Sequence, residues 1–240
     1  MRIDDMKIGV MQPYFIPYLG YWQLINAVDK YVIYDDVNYI NRGWVNRNRI
    51  LVNGTPKYIT IPLTGASQNK KINELQIDDT SKIIKKNWKM IENVYKKAPY
   101  YKDVIHVVDE IRNCREKKLV SFIQKTFSAI CGYLDIETEM IVSSSLDKNN
   151  TLSGQEKILN ICELLGATEY YNAIGGQMLY QAHDFEARGI ELKFLKTKPV
   201  IYKQYENEFQ PNLSILDVMM FNSGEEVKKL LNEYVLIDSD

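Results

Sequence analysis

The segment Lys7–Val37 constrains the fold more than any other stretch, because it alternates between extended and helical patterns. Ile8–Met11 is a short apolar run preceded by charge, which indicates a buried strand. Gly20–Val28 carries apolar residues at helical spacing, and Lys30–Tyr34 is a second apolar run. Two strands joined by a helix over so short a distance form a right-handed crossover in a parallel sheet. The chain is therefore predicted to begin an α/β domain.

The remaining sequence continues this alternation around a central helical stretch. Asn53-Gly54 lies between β-rich runs and predicts a hairpin. Further strands are predicted at Glu139–Val142, Glu169–Ala173 and Ile190–Leu195. Helices are predicted at Ser81–Tyr95, Tyr100–Arg112, Leu119–Cys131, Thr151–Leu165, Gln177–Arg188, Leu213–Phe221 and Glu225–Tyr234. We expect an α/β fold with a parallel-rich, Rossmann or nucleotidyltransferase-like sheet, an inserted helical block and a β-hairpin.

The same patterns divide the chain into three parts. Residues 1–80 are predicted to form the N-terminal part of the α/β domain with the hairpin, and residues 81–135 a helical insertion or lid. Residues 136–240 complete the α/β domain with terminal helices. Ligands of such sheets bind beyond the carboxyl ends of the strands. The segments that follow the predicted strands should therefore converge on one site.

Composition narrows the class of protein. A net charge of −1 argues against binding nucleic acid by bulk electrostatics. The cysteines, Cys114, Cys131 and Cys162, lack the spacing of a zinc site, and their odd number argues against a disulfide framework. No secretory leader and no apolar run of membrane-spanning length is seen, so a cytoplasmic protein without a membrane span is expected. The 17 tyrosines suit a site that grips polyhydroxylated or ring-shaped ligands.

The loop after the first predicted strand, PYFIPYLGYW at residues 13–22, is aromatic where a phosphate loop would be rich in glycine. A nucleotidylyltransferase turn carries two histidines around a glycine, whereas tyrosines flank Gly20 here. A neutral tyrosine pair cannot supply the charge of imidazolium to a phosphate in transfer. The loop can still hold a nucleotide or sugar by stacking, or it can simply pack the helix onto the sheet. Its candidate ligand-binding residues are Gln12, Tyr14, Tyr18 and Tyr21.

The segment NRGWVNRNR, residues 41–49, combines three arginines and three asparagines around a tryptophan. Arginine recognises phosphate or carboxylate with two parallel donors, and asparagine offers a donor and an acceptor. On a strand, Arg47 and Arg49 share one face while Asn46 and Asn48 share the other. The candidate binding residues are Asn41, Arg42, Trp44, Asn46, Arg47, Asn48 and Arg49. A solvated hairpin with surface charge is the alternative interpretation.

Other candidates lie at the ends of later elements. Asp35 and Asp36 end the second strand and could act as a general base, a metal ligand or a counter-charge for arginine. Ser143 could bind phosphate at the end of a strand. Gly175 and Gly176 could expose backbone N–H groups to an anion, although a plain tight turn fits equally well. His183 is a candidate acid–base group, while a structural role is favoured for His106.

Four separated segments together resemble the WbqC-like family of bacterial proteins. They are MQPYFIPYLGYWQLI, VIYDDVNY, RGWVNRNRI and EFQPNLSILDVMMFN, and the resemblance covers nearly the whole chain. It implies a role in O-antigen or related surface polysaccharide (lipopolysaccharide) biosynthesis, with transfer of glycine or a similar acyl group to an aminosugar. The resemblance identifies no catalytic residue.

The expected function is therefore an N-acyltransferase, glycyl or aminoacyl, acting on a nucleotide-linked aminodeoxy sugar. The donor would be a thioester on an acyl carrier protein or coenzyme A, with no tightly bound cofactor and no metal. The catalytic base would be Asp35, Asp36 or His183, and Asn222 would read hydroxyls or polarise the carbonyl. The alternatives are a nucleotidylyl- or adenylate-forming transferase and a non-catalytic nucleotide-sugar binding protein. The oligomeric state is left open.

Overall fold

Short apolar runs flanked by charge build the central sheet. The structure, a computed structural model, describes residues 5–205 and 208–238. The strands of the sheet are β1 (Lys7–Met11), β2 (Lys30–Ile33), β7 (Glu139–Val142), β8 (Glu169–Ala173), β9 (Glu191–Thr197) and β10 (Tyr234–Asp238). Their order is β10-β9-β8-β1-β2-β7, and only β10 runs antiparallel to its neighbour. The α/β class and the mostly parallel sheet are confirmed, and the strand–helix–strand unit at the start of the chain is parallel as predicted.

The strand order places a topological switch point at the middle of the sheet. From β1 the chain moves outward through β2 to β7, then returns to the other side of β1 and continues through β8 and β9. The carboxyl ends of β1 and β8 are therefore neighbours, while the connections that leave them diverge. Open α/β sheets bind ligands in the crevice that such a divergence creates.

The helices cover both faces of the sheet. They are α1 (Leu19–Asn26), α2 (Lys82–Tyr95), α3 (Tyr101–Asn113), α4 (Leu119–Leu134), α5 (Gly154–Leu165), α6 (Ala182–Glu186), α7 (Ile215–Phe221) and α8 (Gly224–Leu230). A smaller core lies under α5 and α6, and a larger one joins α1 with α2, α3, α4, α7 and α8. The predicted hairpin is formed by β3 (Arg47–Val52) and β4 (Thr55–Thr60), which pair around Asn53-Gly54. A second short pair joins β5 (Leu63–Thr64) and β6 (Gln76–Ile77).

Two predicted helices are wrong in extent. The single helix expected at Gln177–Arg188 is a 3-10 helix at Ile174–Leu179 followed by the short α6, because the two adjacent glycines disfavour a regular α-helix. The terminal helix expected at Glu225–Tyr234 ends at Leu230, and Tyr234 instead begins β10. The run YVLID pairs with β9, since its aromatic and β-branched residues favour a strand.

The connection from β1 to α1, which we call the exit loop (residues 12–18), contains a strained turn. Ile16 has φ of +43°, which is unusual for a β-branched residue, and it is fully buried. The Asn48 side chain donates to the carbonyls of Phe15 and Ile16 at 3.1 and 2.8 Å, and Ser214 Oγ donates to the Ile16 carbonyl at 2.9 Å. The exit loop is thus fastened to the hairpin and to the start of α7.

We expect Asn48→Ala to lower the free energy of unfolding by about 1–3 kcal/mol, since buried carbonyls would lose their donor. Asn41→Ala is the matched control, because Asn41 is exposed on the same segment. Urea denaturation of both variants measures the difference. Equal stabilities for the two variants would show that the hydrogen bonds from Asn48 to the exit loop do not stabilise the fold.

Candidate functional site

The carboxyl ends of β2 and β7 hold a group of buried polar and charged residues, which we call the Asp–Lys cluster: Asp36, Ser143, Lys148 and Lys157. Asp36 follows β2, Ser143 and Lys148 follow β7, and Lys157 lies in the first turn of α5. The Asp36 carboxylate contacts Lys157 Nζ at 2.7 Å and Lys148 Nζ at 3.0 Å, and both lysine side chains are almost fully buried. Ser143 Oγ donates to the other Asp36 oxygen at 2.7 Å.

Two lysine ammonium groups surround the single carboxylate of Asp36, so the cluster carries a net positive charge. Burial alone would raise the pKa of Asp36, but hydrogen bonds from Lys157, Ser143 and Lys148 outweigh it and lower the pKa to about 2. Lys148 also donates to the Ser143 carbonyl, and Lys157 Nζ lies 5.3 Å from the centre of the Tyr34 ring. Asp36 is therefore ionised and a weak proton acceptor at neutral pH, and it acts as counter-ion for two buried ammonium groups.

Asp35 has a different environment. One oxygen accepts the Ser144 backbone N–H at 2.8 Å and the other accepts Ser144 Oγ at 2.6 Å. The carboxylate is buried, whereas Ser144 is exposed. Among the described residues, the Asp35 carboxylate is hydrogen-bonded to the neutral N–H and hydroxyl of Ser144 and pairs with no lysine or arginine. The two adjacent acids thus have separate roles, one pairing with lysines and one bound to a surface serine.

A second feature of the carboxyl edge is a cleft of 530 Å³ beside the exit loop, which we call the exit-loop cleft. One wall of the cleft is formed by Tyr18, Gly20 and Thr197, the last residue of β9. Tyr202 and Phe209, whose rings pack edge to face at 5.2 Å, also line the cleft. A Cβ at Gly20 would lie 2.6 Å from Thr197 Oγ1 and 2.8 Å from the Tyr18 ring, so this wall requires glycine.

The predicted alternation of the hairpin is observed. Arg47 and Arg49 are partly exposed, while Asn46 and Asn48 are buried. The exposed face alternates arginine with aromatic rings: the Arg49 guanidinium lies 5.4 Å from the Trp44 ring centre, and Arg47 lies 4.5 Å from that of Tyr58. Arg47 also donates to the carbonyls of Gly43 and Arg42.

Arg49 connects this face to the cleft. Its Nη2 lies 3.4 Å from the carbonyl of Asn212, which lines the exit-loop cleft. Its Nε is buried and has no hydrogen-bond acceptor within the described residues. The exposed Nη2 end of the guanidinium, in contrast, can donate to an anionic ligand at the margin of the cleft.

Several predicted binding residues hold the structure together instead of facing open space. Asn46 accepts a hydrogen bond from Tyr39 and donates to the Ile61 carbonyl, so both ends of its amide are engaged. Tyr21 is fully buried and donates to the Gln12 carbonyl at 2.7 Å, and burial raises the pKa of its hydroxyl. Tyr14 is partly buried and packs against Tyr21 at 5.3 Å. Their binding roles stay predictions.

The remaining candidates are spread over the fold. Gly176 packs against Asn172, whose side-chain oxygen would lie 2.8 Å from an added Cβ, while Gly175 is exposed. His183 is 76% exposed and lies 3.0 Å from Asp184. Asn222 donates to the Val218 carbonyl of its own helix. Within residues 5–205 and 208–238, no hydrogen bond or ion pair joins His183 or Asn222 to Asp35 or Asp36. No group of three metal-ligating side chains is found in that part of the chain either.

Sequence reasoning missed both lysines of the Asp–Lys cluster. Lys157 carried a usable signal, because it precedes the apolar residues Ile158 and Ile161 on an amphipathic helix and shares their buried face. A charge on such a face needs a partner, and Asp36, already considered as a counter-charge for arginine, was a candidate. Lys148 lies in a polar connection between elements, where no pattern marks it as buried.

Asp36→Asn leaves two buried ammonium groups without their counter-ion, and we expect it to reduce the free energy of unfolding by about 3–5 kcal/mol. Asp147→Asn, at an exposed position on the same connection as Lys148, should have little effect. Urea unfolding at neutral pH measures both. A loss as small in Asp36→Asn as in Asp147→Asn would contradict the role of Asp36 as counter-ion.

The pairing of Asp36 with Lys148 and Lys157 also predicts how the stability of the fold depends on pH. Because the folded-state pKa of Asp36 is about 2, below its ordinary value of 3.8, the pairing stabilises the fold fully above pH about 4. This contribution is lost as pH falls through about 2. Wild type should therefore lose more stability than Asp36→Asn between pH 4 and pH 2. Parallel loss in both proteins would show that another group dominates acid unfolding.

Comparisons with known proteins agree with the resemblance in the sequence. The model of the WbqC-like protein family matches residues 12–229, a range that includes the exit loop, the hairpin and the Asp–Lys cluster. The uncharacterized protein Rv1507c of Mycobacterium tuberculosis is 31% identical over 228 residues, which cover 94% of this chain and 97% of that protein. No solved structure matches significantly. Among the described residues, no helix is long and apolar enough to cross a membrane. The chain belongs to the WbqC-like protein family.

Proposed function

We propose that the chain is an N-acyltransferase that modifies a nucleotide-linked aminodeoxy sugar, and that the exit-loop cleft holds this sugar nucleotide. The observation that carries the proposal is the position of the cleft, at the carboxyl edge of the sheet and beside the exit loop of the central strand. The sheet strands, numbered in chain order, follow the order 3-2-1-4-5-6, which is the order of Rossmann-type sheets. This order supports a nucleotide as part of the ligand.

The chemistry of the cleft suits such a ligand. Tyr18, Tyr202 and Phe209 offer ring faces on which a base or sugar can stack. Arg49 lies at the margin of the cleft, where its exposed Nη2 reaches the Asn212 carbonyl, and its guanidinium could donate to a phosphate oxygen of the ligand. The volume of 530 Å³ lies within the range of about 300–1,000 Å³ that small-molecule sites occupy.

The acyl-transfer step needs one base and no covalent enzyme intermediate. The sugar amine attacks the thioester carbonyl, the C–N bond forms, and the C–S bond breaks as the thiolate leaves. The amine proton passes to a base and from there to the thiolate, so atoms and charges balance. Asp35 takes this role in the proposal, because it follows β2 at the carboxyl edge of the sheet and its carboxylate accepts a hydrogen bond from the hydroxyl of the exposed Ser144. Asp36 keeps the lysines in place.

Nucleotidylyl transfer is the weaker candidate. Tyr21 occupies one of the two positions around Gly20 where that chemistry places histidines. It is buried, and burial raises the pKa of its hydroxyl, so it stays neutral and cannot offset charge on a phosphate in transfer. In this proposal the acylated sugar belongs to O-antigen or a related surface polysaccharide, as the resemblance in the sequence implies.

Incubation with aminodeoxy-sugar nucleotides and with thioesters of coenzyme A or a loaded carrier protein tests the activity. We expect the sugar nucleotide to gain the mass of one acyl group, detected by mass spectrometry. Arg49→Ala should weaken binding of the sugar nucleotide about tenfold, since it removes a charge-assisted contact. Lys57→Ala, on the partner strand of the same hairpin, is the control. Release of pyrophosphate from a nucleotide, or tight binding without turnover, would favour the alternatives.

Gly20→Ala tests the cleft independently of the chemistry. The added methyl must displace Thr197 Oγ1 and the Tyr18 ring, so we expect sugar-nucleotide affinity measured by calorimetry to fall at least about tenfold. Gly132→Ala is the matched control, because an added Cβ there meets nothing within 4 Å. Unchanged affinity in Gly20→Ala would place the ligand outside this cleft.

A further inference from the structure

A groove of 700 Å³ lies between α2 and the connection from α3 to α4, apart from the exit-loop cleft and the Asp–Lys cluster. Its apolar lining includes Ile61, Ile84, Trp88 and Phe122. Trp88 and Phe122 are 7% and 6% exposed, and the small accessible part of each residue lies at the floor of the groove, where an apolar chain would contact it. Cys114, a partly exposed free thiol, lies in the wall.

The rim of this groove is cationic. Five basic and three acidic side chains line it: Lys85, Lys89, Arg112, Arg115 and Lys117 against Asp79, Glu92 and Glu116. Asp79 pairs with Lys117 at 3.4 Å, and Glu92 lies 4.0 Å from Arg112. Lys85, Lys89 and Arg115 have no ion-pair partner in the described part of the chain. Lys85 and Lys89 are one helical turn apart, so both can reach one anion.

The floor of the groove also contacts the exit loop. Phe15 packs against Trp88 at 6.4 Å and against Phe122 at 6.1 Å between ring centres. Phe15 directly precedes the strained Ile16, and Tyr18, two residues further, lines the exit-loop cleft. A molecule lying on Trp88 and Phe122 is therefore one ring away from the loop that shapes the proposed sugar-nucleotide site.

We propose that this groove binds the phosphopantetheine arm of the acyl-thioester donor, with its phosphate at Lys85, Lys89 and Arg115. The arm is an elongated chain with an anionic group at one end, which matches an apolar floor with an unpaired cationic rim. This inference rests on the proposed function, because it names the donor site for the same acyl transfer. Among the described residues, Glu116 is the acidic side chain of the rim that has no ion-pair partner. The unpaired Lys85, Lys89 and Arg115 outnumber it, so the net charge of the rim is positive.

The Cys114 thiol provides a direct test. Cys131 and Cys162 are buried, and burial raises the pKa of each thiol to about 12, so alkylation by N-ethylmaleimide should report on Cys114. S-methyl 4′-phosphopantetheine has no free thiol and should slow the alkylation, followed by intact mass. S-methyl pantetheine, which lacks the phosphate, should need a concentration about tenfold higher for equal protection.

Two matched variants locate the phosphate contact. Lys89→Ala should raise the concentration of S-methyl 4′-phosphopantetheine that gives half-protection by about tenfold. Lys86→Ala removes the same charge from the same helix at a position that does not line the groove, and it should leave protection unchanged. Equal protection by the phosphorylated and unphosphorylated compounds would overturn the inference. Protection by decanoate, added without either compound, would overturn it as well.

Acyl-transfer kinetics separate this inference from the proposed function. Acyl transfer by wild type with an unchanged donor KM in Lys89→Ala would reject the groove as donor site and leave the acyltransferase function intact. Phosphate-dependent protection of Cys114 without acyl transfer from any thioester would support the groove and reject the proposed function. A donor KM raised in Lys89→Ala and unchanged in Lys86→Ala would support both.

Discussion

The strained turn at Ile16 is the constraint on which the arrangement of the molecule depends. A β-branched residue with positive φ costs about 1–3 kcal/mol, and it persists only where the surroundings hold it. Here the holding groups are Asn48 of the hairpin and Ser214 at the start of α7, elements that are far apart in sequence. The central strand, the hairpin and the C-terminal helices therefore meet at the carbonyl of one residue.

The turn also explains why the two proposed ligand regions lie on either side of one short loop. Phe15 points into the core beside Trp88 and Phe122, and Tyr18 lines the exit-loop cleft. A turn with ordinary dihedral angles would direct these two side chains differently, because the angle at Ile16 sets the course of the chain between them. Strain of this kind tends to lie at sites where the positions of neighbouring groups matter for function.

The sequence predicted the five parallel strands of the sheet, but not β10, because strand and helix periodicities are local. It also predicted which faces of β3 carry arginine and asparagine, since alternation along a strand depends on geometry alone. It assigned Asn46 and Asn48 to ligand binding, whereas the structure uses their amides to satisfy buried backbone carbonyls. An amide that recognises a ligand and one that closes a turn have the same sequence signature, and only the position of the partner separates them.

The Asp–Lys cluster shows what requires long-range information. Asp35 and Asp36 were recognisable as a pair at a strand end, but their different environments arise from segments more than a hundred residues later. The pairing of β2 with β7 brings Ser143 and Ser144 to the two acids, and α5 adds Lys157 to Asp36 alone. Burial then makes the distinction chemical: the Asp36 carboxylate compensates two buried lysines and stays ionised, while the Asp35 carboxylate accepts hydrogen bonds from the neutral N–H and hydroxyl of Ser144. The topology of the sheet, and not the identity of the two residues, therefore separates a structural acid from a candidate base.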